Sequence, residues 1–194
     1  MFNTNIFLSK KAIIIKNICE KFILNYRLAL LKRAKLAYTF IRRILMDKIK
    51  DYKLILKQAD NLLQNEHDLI ANMSNISSLL YNSLPDVSYA GFYSFKDKEL
   101  ILGPFQGPIA CMHIQIGKGV CGVAAKTQQI QIVPNVHEFS GHIACDAATN
   151  SEIVVPLIKN NSLLAVLDLD SNSFNRFDQI DAEYLPKIAD LVSK

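Results

Sequence analysis

The chain has 194 residues, of which 50% are hydrophobic and 21% are charged. This length suits one domain with an appendage, and the composition excludes global disorder because enough apolar residues are present to form a core. Four cysteines are too few for a secreted disulfide scaffold, and no CxxC pair marks a structural zinc site. The sequence therefore predicts a folded protein of the reducing cytoplasm, in which thiols stay free or cycle.

Charge is divided unevenly along the chain. Residues 1–45 hold ten Lys or Arg and one acid, giving +9, whereas residues 46–194 carry −5. The acidic part offers no electrostatic footprint for nucleic acid. We therefore expect a basic, partly apolar N-terminal extension of unknown role, residues 1–45, followed by the main domain, residues 46–194. No apolar run in the extension reaches the ~18–20 residues of a membrane span, and membrane contact through a basic amphipathic helix is the less favoured alternative.

The apolar pattern divides the main domain into helices and strands. Between residues 47 and 83, apolar residues recur at threes and fours, which predicts two helices with a break at 65–68. The period then changes to two, and strands are predicted over 87–95, 99–103, 110–116, 129–133, 152–158 and 162–170. A short helix is predicted over 120–127, and a closing helix over 178–193 with Asp178 as its N-cap. This order predicts an α+β fold with a central antiparallel sheet of about six strands flanked by N- and C-terminal helices.

A 17-residue loop predicted over 135–151 stands out, because loops of this length inside compact domains are usually functional or disordered. It contains Cys145, which follows His142 by three residues and precedes Asp146. A nearby histidine or helix N-terminus would lower the pKa of the thiol, whereas Asp146 would raise it. Cys145 is therefore our candidate nucleophile, and a small buried residue is the alternative.

Two further cysteines are candidate resolving thiols. Cys121 lies at the start of the predicted short helix, after the turn at 117–119, where the helix dipole favours an anion. Cys111 begins a predicted strand, and ordinary packing is the alternative for both cysteines. A metal site that joins these thiols to His113 and His137 is not predicted, because the spacing is irregular.

Acidic and aromatic residues on the predicted strands complete the candidate site. Glu152, Asp168 and Asp170 stand amid apolar neighbours, and the spacing of two directs the last two carboxyls to one sheet face. Because buried carboxyls are unfavourable unless they bind something, we interpret them as holding an ammonium group and supplying a proton; a solvated sheet edge is the alternative. Tyr89 and Tyr93 share a strand face and form an aromatic wall suited to a methyl-sulfur group, or ordinary core. Together these residues predict a thiol-based redox enzyme.

Several ordered motifs resemble those of the GAF-domain free methionine-(R)-sulfoxide reductases. The resemblance runs from about Met46 to the C-terminus. It is carried by GFY at 91–93, GPFQG at 103–107, GKGVCG at 117–122, VH at 136–137, GHIACDAA at 141–148, NSEIVVP at 150–156, VLDLDS at 166–171 and RF at 176–177. Generic GAF sensor domains lack this trio of cysteines. The resemblance implies a GAF fold and reduction of the free amino acid L-methionine-(R)-sulfoxide, not of sulfoxide within proteins.

The resemblance also implies roles for the three cysteines. Cys145 would attack the sulfoxide and become a sulfenic acid, Cys111 would form the disulfide with it, and Cys121 would be the other redox thiol. Which of Cys111 and Cys121 is the main resolving thiol stays open. Thioredoxin would regenerate the thiols as an external reductant, no cofactor or metal would be bound, and a homodimer is a further expectation. Cys19 lies in the extension and has no family role.

The remaining site residues follow from the same resemblance. Glu152, Asp168 and Asp170 would hold the amino acid and assist departure of the oxygen. Tyr89 and Tyr93 would enclose the methyl-sulfur end of the substrate. Relatives often have Trp in place of Tyr89, and this chain has no Trp, so a smaller ring would loosen the pocket without abolishing it. The alternative function is a GAF module that binds a small molecule and does no chemistry.

Overall fold

The computed structural model of the chain describes residues 33, 38, 39, 42, 43 and 45–194. The chain divides into two compact units, Met1–Asp47 and Lys48–Lys194. Most of the first unit, including Cys19 and nearly all of the basic segment considered for membrane contact, lies outside the described residues. Within the described part of the chain, no helix is both long and apolar enough to cross a membrane.

Four α-helices and six strands make up the second unit and the residues that lead into it. The helices are α1 (residues 45–62), α2 (Leu69–Ser83), α3 (Gly119–Thr127) and α4 (Gln179–Leu191), with a short 3₁₀ helix at Val136–Glu138. The strands are β1 (Tyr89–Lys96), β2 (Glu99–Gln106), β3 (His113–Gln115), β4 (Gln131–Val133), β5 (Ser151–Lys159) and β6 (Ser162–Ser171). The predicted order of elements is confirmed, and the boundaries of the longer ones differ by a few residues.

The six strands form one sheet in the order β3-β2-β1-β6-β5-β4, and each neighbouring pair is antiparallel. Two tight hairpins connect β1 to β2 and β5 to β6, with Asp97-Lys98 and Asn160-Asn161 at positive φ in the turns. Asn and Asp tolerate this conformation well, whereas Lys98 adopts it without such a preference. The predicted α+β fold with an antiparallel sheet of about six strands is therefore confirmed. β3 is shorter than expected, and residues 110–112 are not a strand.

The period of two along the strands places alternate side chains in two separate apolar clusters. Phe92, Ile153 and Leu167 pack with α1, α2 and α4 in one cluster. Tyr93, Val154 and Val166, each next to one of the first three in sequence, pack with α3 in the other. Glu152, Asp168 and Asp170 have the parity of this second set, so the fold directs their side chains to the α3 face.

A buried ionic network fixes α4 against α1. The predicted N-cap Asp178 is confirmed, since its side chain accepts hydrogen bonds from the backbone of Ile180 and Asp181. The fully buried Asp181 accepts from Lys48 Nζ at 2.6 Å and from the Tyr52 hydroxyl at 2.6 Å. It also accepts from Arg176 at 3.3 Å, so its carboxylate is compensated by two cations and a phenol. This network lies on the face of the sheet opposite to α3.

Candidate active site

One pocket on the α3 face gathers most of the residues that the sequence singled out. Strands β1, β5 and β6 contribute side chains to it, and α3 contributes its first turn. The loop before β3 and the long loop after β4 complete the wall. The lining residues that carry chemistry are Tyr89, Tyr93, Cys121, His142, Cys145, Asp146, Glu152, Asp168 and Asp170. The rest of the lining includes apolar residues of the two loops, such as Ile109 and Ile143.

A disulfide between Cys111 and Cys145 joins the two loops. The residues are 34 positions apart in sequence, and their Cα atoms are 5.4 Å apart. Both cysteines are half-buried. The expectation that Cys111 begins a strand is wrong, because β3 starts only at His113 and Cys111 lies in the irregular segment that meets the second loop. The catalytic roles of the two cysteines remain predictions.

The three carboxyls come together through the register of the β5–β6 hairpin. Glu152 on β5 is the direct cross-strand partner of Asp170 on β6, and Asp168 lies two residues along the same strand. Glu152 and Asp168 are each only 6% exposed. The solvated sheet edge that we considered as the alternative is therefore not what the structure shows for these two residues.

Burial controls the protonation of this cluster. It raises the pKa of Asp168 to about 7, against hydrogen bonds from Cys121 and Glu152 that act in the opposite direction. The pKa of Glu152 lies well above its ordinary value because of burial and of the charges of Asp168 and Asp170. Burial and Asp168 likewise raise the pKa of Asp170. At neutral pH the cluster therefore holds protons that it can donate, and a bound cation would favour its ionised form.

Cys121 is a buried free thiol beside these acids. Its sulfur donates a long hydrogen bond of 3.9 Å to Glu152 Oε1. Sγ and the oxygens of Glu152 and Asp168 lie within 4.8 Å of one another. Burial, followed by the charges of Asp168 and Glu152, raises the pKa of this thiol well above its ordinary value. Desolvation and the neighbouring acids therefore oppose the anion that the helix dipole was expected to favour at the start of α3.

Tyr89 and Tyr93 form the aromatic side of the pocket and are 3% and 1% exposed. The ring of Tyr89 stacks on Phe105 of β2, with centroids 5.5 Å apart. Gly91 makes room for this arrangement, since a Cβ there would lie 2.5 Å from Phe105 Cβ and 2.6 Å from the Tyr89 hydroxyl oxygen. The expected pairing of the two tyrosines on one wall is thus what the structure shows.

The histidines divide between the pocket and the surface. His142 lines the pocket, and burial together with nearby His137 lowers its pKa, so it does not supply a fixed positive charge to Cys145. His113 contacts Glu99 at 3.2 Å on the β2–β3 edge, and His137 contacts Asn150 at 2.9 Å. Neither of these two lines the pocket.

Sequence reasoning missed contributors whose importance depends on the fold. The buried Thr149 lines the pocket, and its hydrogen bond to Asp170 lowers the pKa of that carboxyl. Ile143 packs over Gly119, where an added Cβ would meet it at 3.3 Å. A threonine or an isoleucine in a polar loop gives no chemical signal by itself, so neither could be selected before the loop was placed over the sheet.

Comparisons with known proteins agree with this geometry. A family model described as a GAF domain matches residues 67–194. The free methionine-R-sulfoxide reductase of Escherichia coli (strain K12) is 45% identical over 149 residues, which cover 77% of this chain and 90% of that protein. The protein of the same name from Saccharomyces cerevisiae is 45% identical over 157 residues, covering 77% of this chain and 87% of that protein.

A solved structure gives the same result in three dimensions. The structure described as fRMsr of Staphylococcus aureus in complex with substrate has a TM-score of 0.70 and 48% sequence identity, and the match covers 73% of this chain and 93% of that one. Sequence, fold and coverage of nearly the whole relative point to one family of oxidoreductases. The chain belongs to the GAF-domain family of free methionine-R-sulfoxide reductases.

Proposed function

We propose that the protein reduces free L-methionine-(R)-sulfoxide to L-methionine. The observation that carries the proposal is the Cys111–Cys145 disulfide beside a pocket that also contains three carboxyls and two tyrosines. The names of the relatives at 45% identity support the same activity. A pocket of this composition offers a thiol for the sulfur, protons for the oxygen and carboxyls for an ammonium group.

The first step is attack of the Cys145 sulfur on the sulfoxide sulfur. A protonated carboxyl of the cluster, for which Asp168 is our candidate, delivers a proton to the sulfoxide oxygen as it leaves sulfur. The S–S bond formed by the attack then breaks as the protonated oxygen passes from the substrate sulfur to the Cys145 sulfur, so Cys145 becomes a sulfenic acid and methionine is released. One sulfur is thus oxidised and the other reduced by two electrons, with no other redox partner needed in this step.

The second step is condensation of the sulfenic acid with a second thiol. We propose Cys111 as the main resolving thiol, because the disulfide joins it to Cys145. The Cys111 sulfur attacks the Cys145 sulfur, and the new S–S bond displaces the hydroxyl of the sulfenic acid. This hydroxyl takes up the proton of the Cys111 thiol and leaves as water. Cys121 is the less suitable resolving thiol, since burial and adjacent acids hold it protonated. Its role as the other redox thiol stays a prediction.

Recognition of the free amino acid rests on the same pocket. The ammonium group fits among Glu152, Asp168 and Asp170, where it would compensate buried negative charge. The methyl-sulfur end fits against Tyr89 and Tyr93. A methionine residue inside a protein has an amide in place of the ammonium group, so these carboxyls favour the free amino acid.

Regeneration of the thiols requires an external dithiol, and we propose thioredoxin for this role, in the cytoplasm and without a bound cofactor. We also propose that residues 46–194 form the catalytic domain, that residues 1–45 are an extension of unassigned role, and that the protein acts as a homodimer. Sedimentation of the full chain would test the dimer.

The test of the activity is NADPH oxidation coupled through thioredoxin reductase and thioredoxin. Turnover of the (R) epimer of free methionine sulfoxide, with the (S) epimer inert, supports the proposal. Cys145→Ser is the matched control for background oxidation. Absence of turnover with both epimers, in folded and reduced protein, would replace the proposal with a ligand-binding GAF module.

A further inference from the structure

Two polar atoms that belong to the pocket residues are buried without a hydrogen bond to any of the described residues. They are the hydroxyl oxygen of Tyr89 and Oδ1 of Asp168. Tyr89 is 3% exposed and Asp168 is 6% exposed, so solvent does not satisfy either group. Buried polar groups are rarely left unpaired in folded proteins, and an unpaired group in a pocket indicates the position of a ligand atom.

The register of the sheet brings the side chains of Tyr89 and Asp168 to neighbouring positions on the pocket face. Gly91 of β1 is the cross-strand partner of Asp168 on β6. The Tyr89 hydroxyl lies directly over Gly91, 2.6 Å from where a Cβ would be. The missing side chain at position 91 therefore lets the phenol reach across its own strand towards the neighbouring carboxyl.

Tyr93 does not satisfy the hydrogen-bonding capacity of the Tyr89 hydroxyl. A weak hydrogen-bonding contact with Tyr93 contributes to the raised pKa of Tyr89, but no hydrogen bond of normal geometry to Tyr93 or to any other described residue satisfies the Tyr89 hydroxyl oxygen. Burial and the charge of Asp168 raise the pKa of Tyr89, so its proton is retained and available for donation. A phenol of this kind requires an acceptor.

The substrate of the proposed reaction offers few acceptors, and the pocket selects among them. The ammonium group has no hydrogen-bond acceptor, and the thioether sulfur of the product methionine is only a weak acceptor. Its carboxylate would be repelled by Glu152, Asp168 and Asp170 if it entered the acidic side of the pocket. The sulfoxide oxygen is a strong, formally uncharged acceptor, and it suits a phenol donor among acids.

We propose that the Tyr89 hydroxyl donates a hydrogen bond to the sulfoxide oxygen, beside the carboxyl of Asp168. This inference rests on the proposed reductase function. It makes Tyr89 a residue that touches the reacting group and gives the protein a way to distinguish the oxidised substrate from its product. The aromatic wall then has two parts: ring surface for the methyl-sulfur end, and a donor for the oxygen that departs.

The test compares two ligands that differ by this single oxygen. Methionine sulfoxide and methionine are titrated by calorimetry into full-length, reduced protein that carries Cys145→Ser, with and without Tyr89→Phe. We expect Tyr89→Phe to weaken binding of the (R)-sulfoxide about tenfold and to leave methionine binding unchanged, because only the sulfoxide loses a hydrogen bond. Equal weakening of both ligands, or of neither, would overturn the inference.

Thermal unfolding of the ligand-free protein gives a second, independent measurement. An unpaired buried hydroxyl does not stabilise the fold, so Tyr89→Phe should keep or raise Tm. A lowered Tm would show that the hydroxyl has a partner in the free protein, and the inference would fail. Tyr184→Phe is the matched control, since Tyr184 is a buried tyrosine of the opposite cluster and should not change either affinity.

Wild-type turnover separates this inference from the proposed function. If the wild-type protein does not reduce the (R)-sulfoxide, the proposed function fails, whatever Tyr89 does. If it turns over and Tyr89→Phe does not discriminate between sulfoxide and methionine, only the role assigned to the hydroxyl is wrong.

Discussion

Glu152 and Asp170 face each other directly across the β5–β6 hairpin, so the carboxyl of the buried Glu152 and that of the half-buried Asp170 share one cross-strand position on the α3 side of the sheet. Like charges in this arrangement destabilise each other, and the protein relieves this by retaining protons at neutral pH. The pairing therefore keeps protonated carboxyl groups close to the Cys111–Cys145 disulfide. In the proposed reaction, a protonated acid beside Cys145 would donate the proton that the departing sulfoxide oxygen requires.

The two disulfide cysteines should fail in different ways when they are replaced. Cys145→Ser removes the proposed nucleophile and should abolish methionine formation. Cys111→Ser leaves attack intact but blocks the disulfide, so it should release up to one methionine per subunit and then stall. Single-turnover quantification of methionine in thioredoxin-free reactions measures both. Equal residual activity in the two variants would contradict these roles.

The pH dependence of turnover should reveal the proton donor. Asp168 has a pKa of about 7, so its protonated form is lost as the pH rises through neutrality. We expect kcat/KM for the (R)-sulfoxide to fall on this alkaline side, since kcat/KM reports groups of the free enzyme. Asp168→Asn should lower the maximal rate and remove this limb of the profile. An unchanged alkaline limb in the variant would assign the titration to another group.

The same carboxyl should make the ligand-free protein less stable at higher pH. Its folded pKa is raised above the unfolded value near 3.8, so the unfolded state ionises first and folding loses free energy as the pH rises from about 4 to about 7. Asp168→Asn keeps the shape of the side chain but removes its ionisation, so the variant does not lose folding free energy in this pH range. The variant should melt above the wild type at pH 8, with little difference at pH 4. A variant less stable than the wild type at both pH values would refute this account.

Gly91 should not tolerate a methyl group. Gly91→Ala places a Cβ 2.5 Å from Phe105 Cβ, an atom fixed to the backbone of β2, and 2.6 Å from the Tyr89 hydroxyl. We expect a loss of about 1–3 kcal/mol in the free energy of unfolding and a raised KM for the sulfoxide, because the Tyr89–Phe105 stack must shift. Urea unfolding and steady-state kinetics measure the two effects. If Gly91→Ala destabilised the fold but left KM unchanged, Gly91 would have no role in substrate binding.

Asp181 provides the matched contrast, because it is buried on the opposite face of the sheet. Asp181→Asn removes a charge that compensates Lys48 and Arg176, and breaking such a buried pair typically costs about 3–5 kcal/mol. The variant should unfold at a lower urea concentration. Its kcat and KM, measured while it remains folded, should match those of the wild type. A changed KM would show coupling between the two faces.

The fold could be predicted largely from the sequence because its strands alternate so regularly. The change from helical to strand period after Pro85, the turn at Asn160-Asn161 and the cap at Asp178 each have a local cause that the sequence displays. The parity of Asp168 and Asp170 was also visible, and it correctly predicted a shared face. These features depend on neighbours in sequence, which is why they could be read directly.

The remaining features depend on contacts between distant segments. The protonation of Cys121 could not be deduced from its place on a glycine turn, because the acids that control it come from β5 and β6. The sequence likewise gives no sign that β3 starts only at His113, two residues after Cys111, or that Cys111 meets a loop 34 residues away. The unpaired Tyr89 hydroxyl depends on the absence of a side chain at Gly91 and on the register with Asp168.

The Cys111–Cys145 bond closes a loop of 34 residues, and this length has a consequence for the redox cycle. Cross-linking such a loop lowers the entropy of the unfolded chain by an amount equivalent to about 3–4 kcal/mol. Each proposed turnover would therefore cross-link the segments that contain Cys111 and Cys145, and each reduction would separate them again. The oxidised protein should therefore resist heat and proteases better than the reduced one. If substrate accumulated without reductant, the enzyme would collect in this more stable but inactive oxidised form.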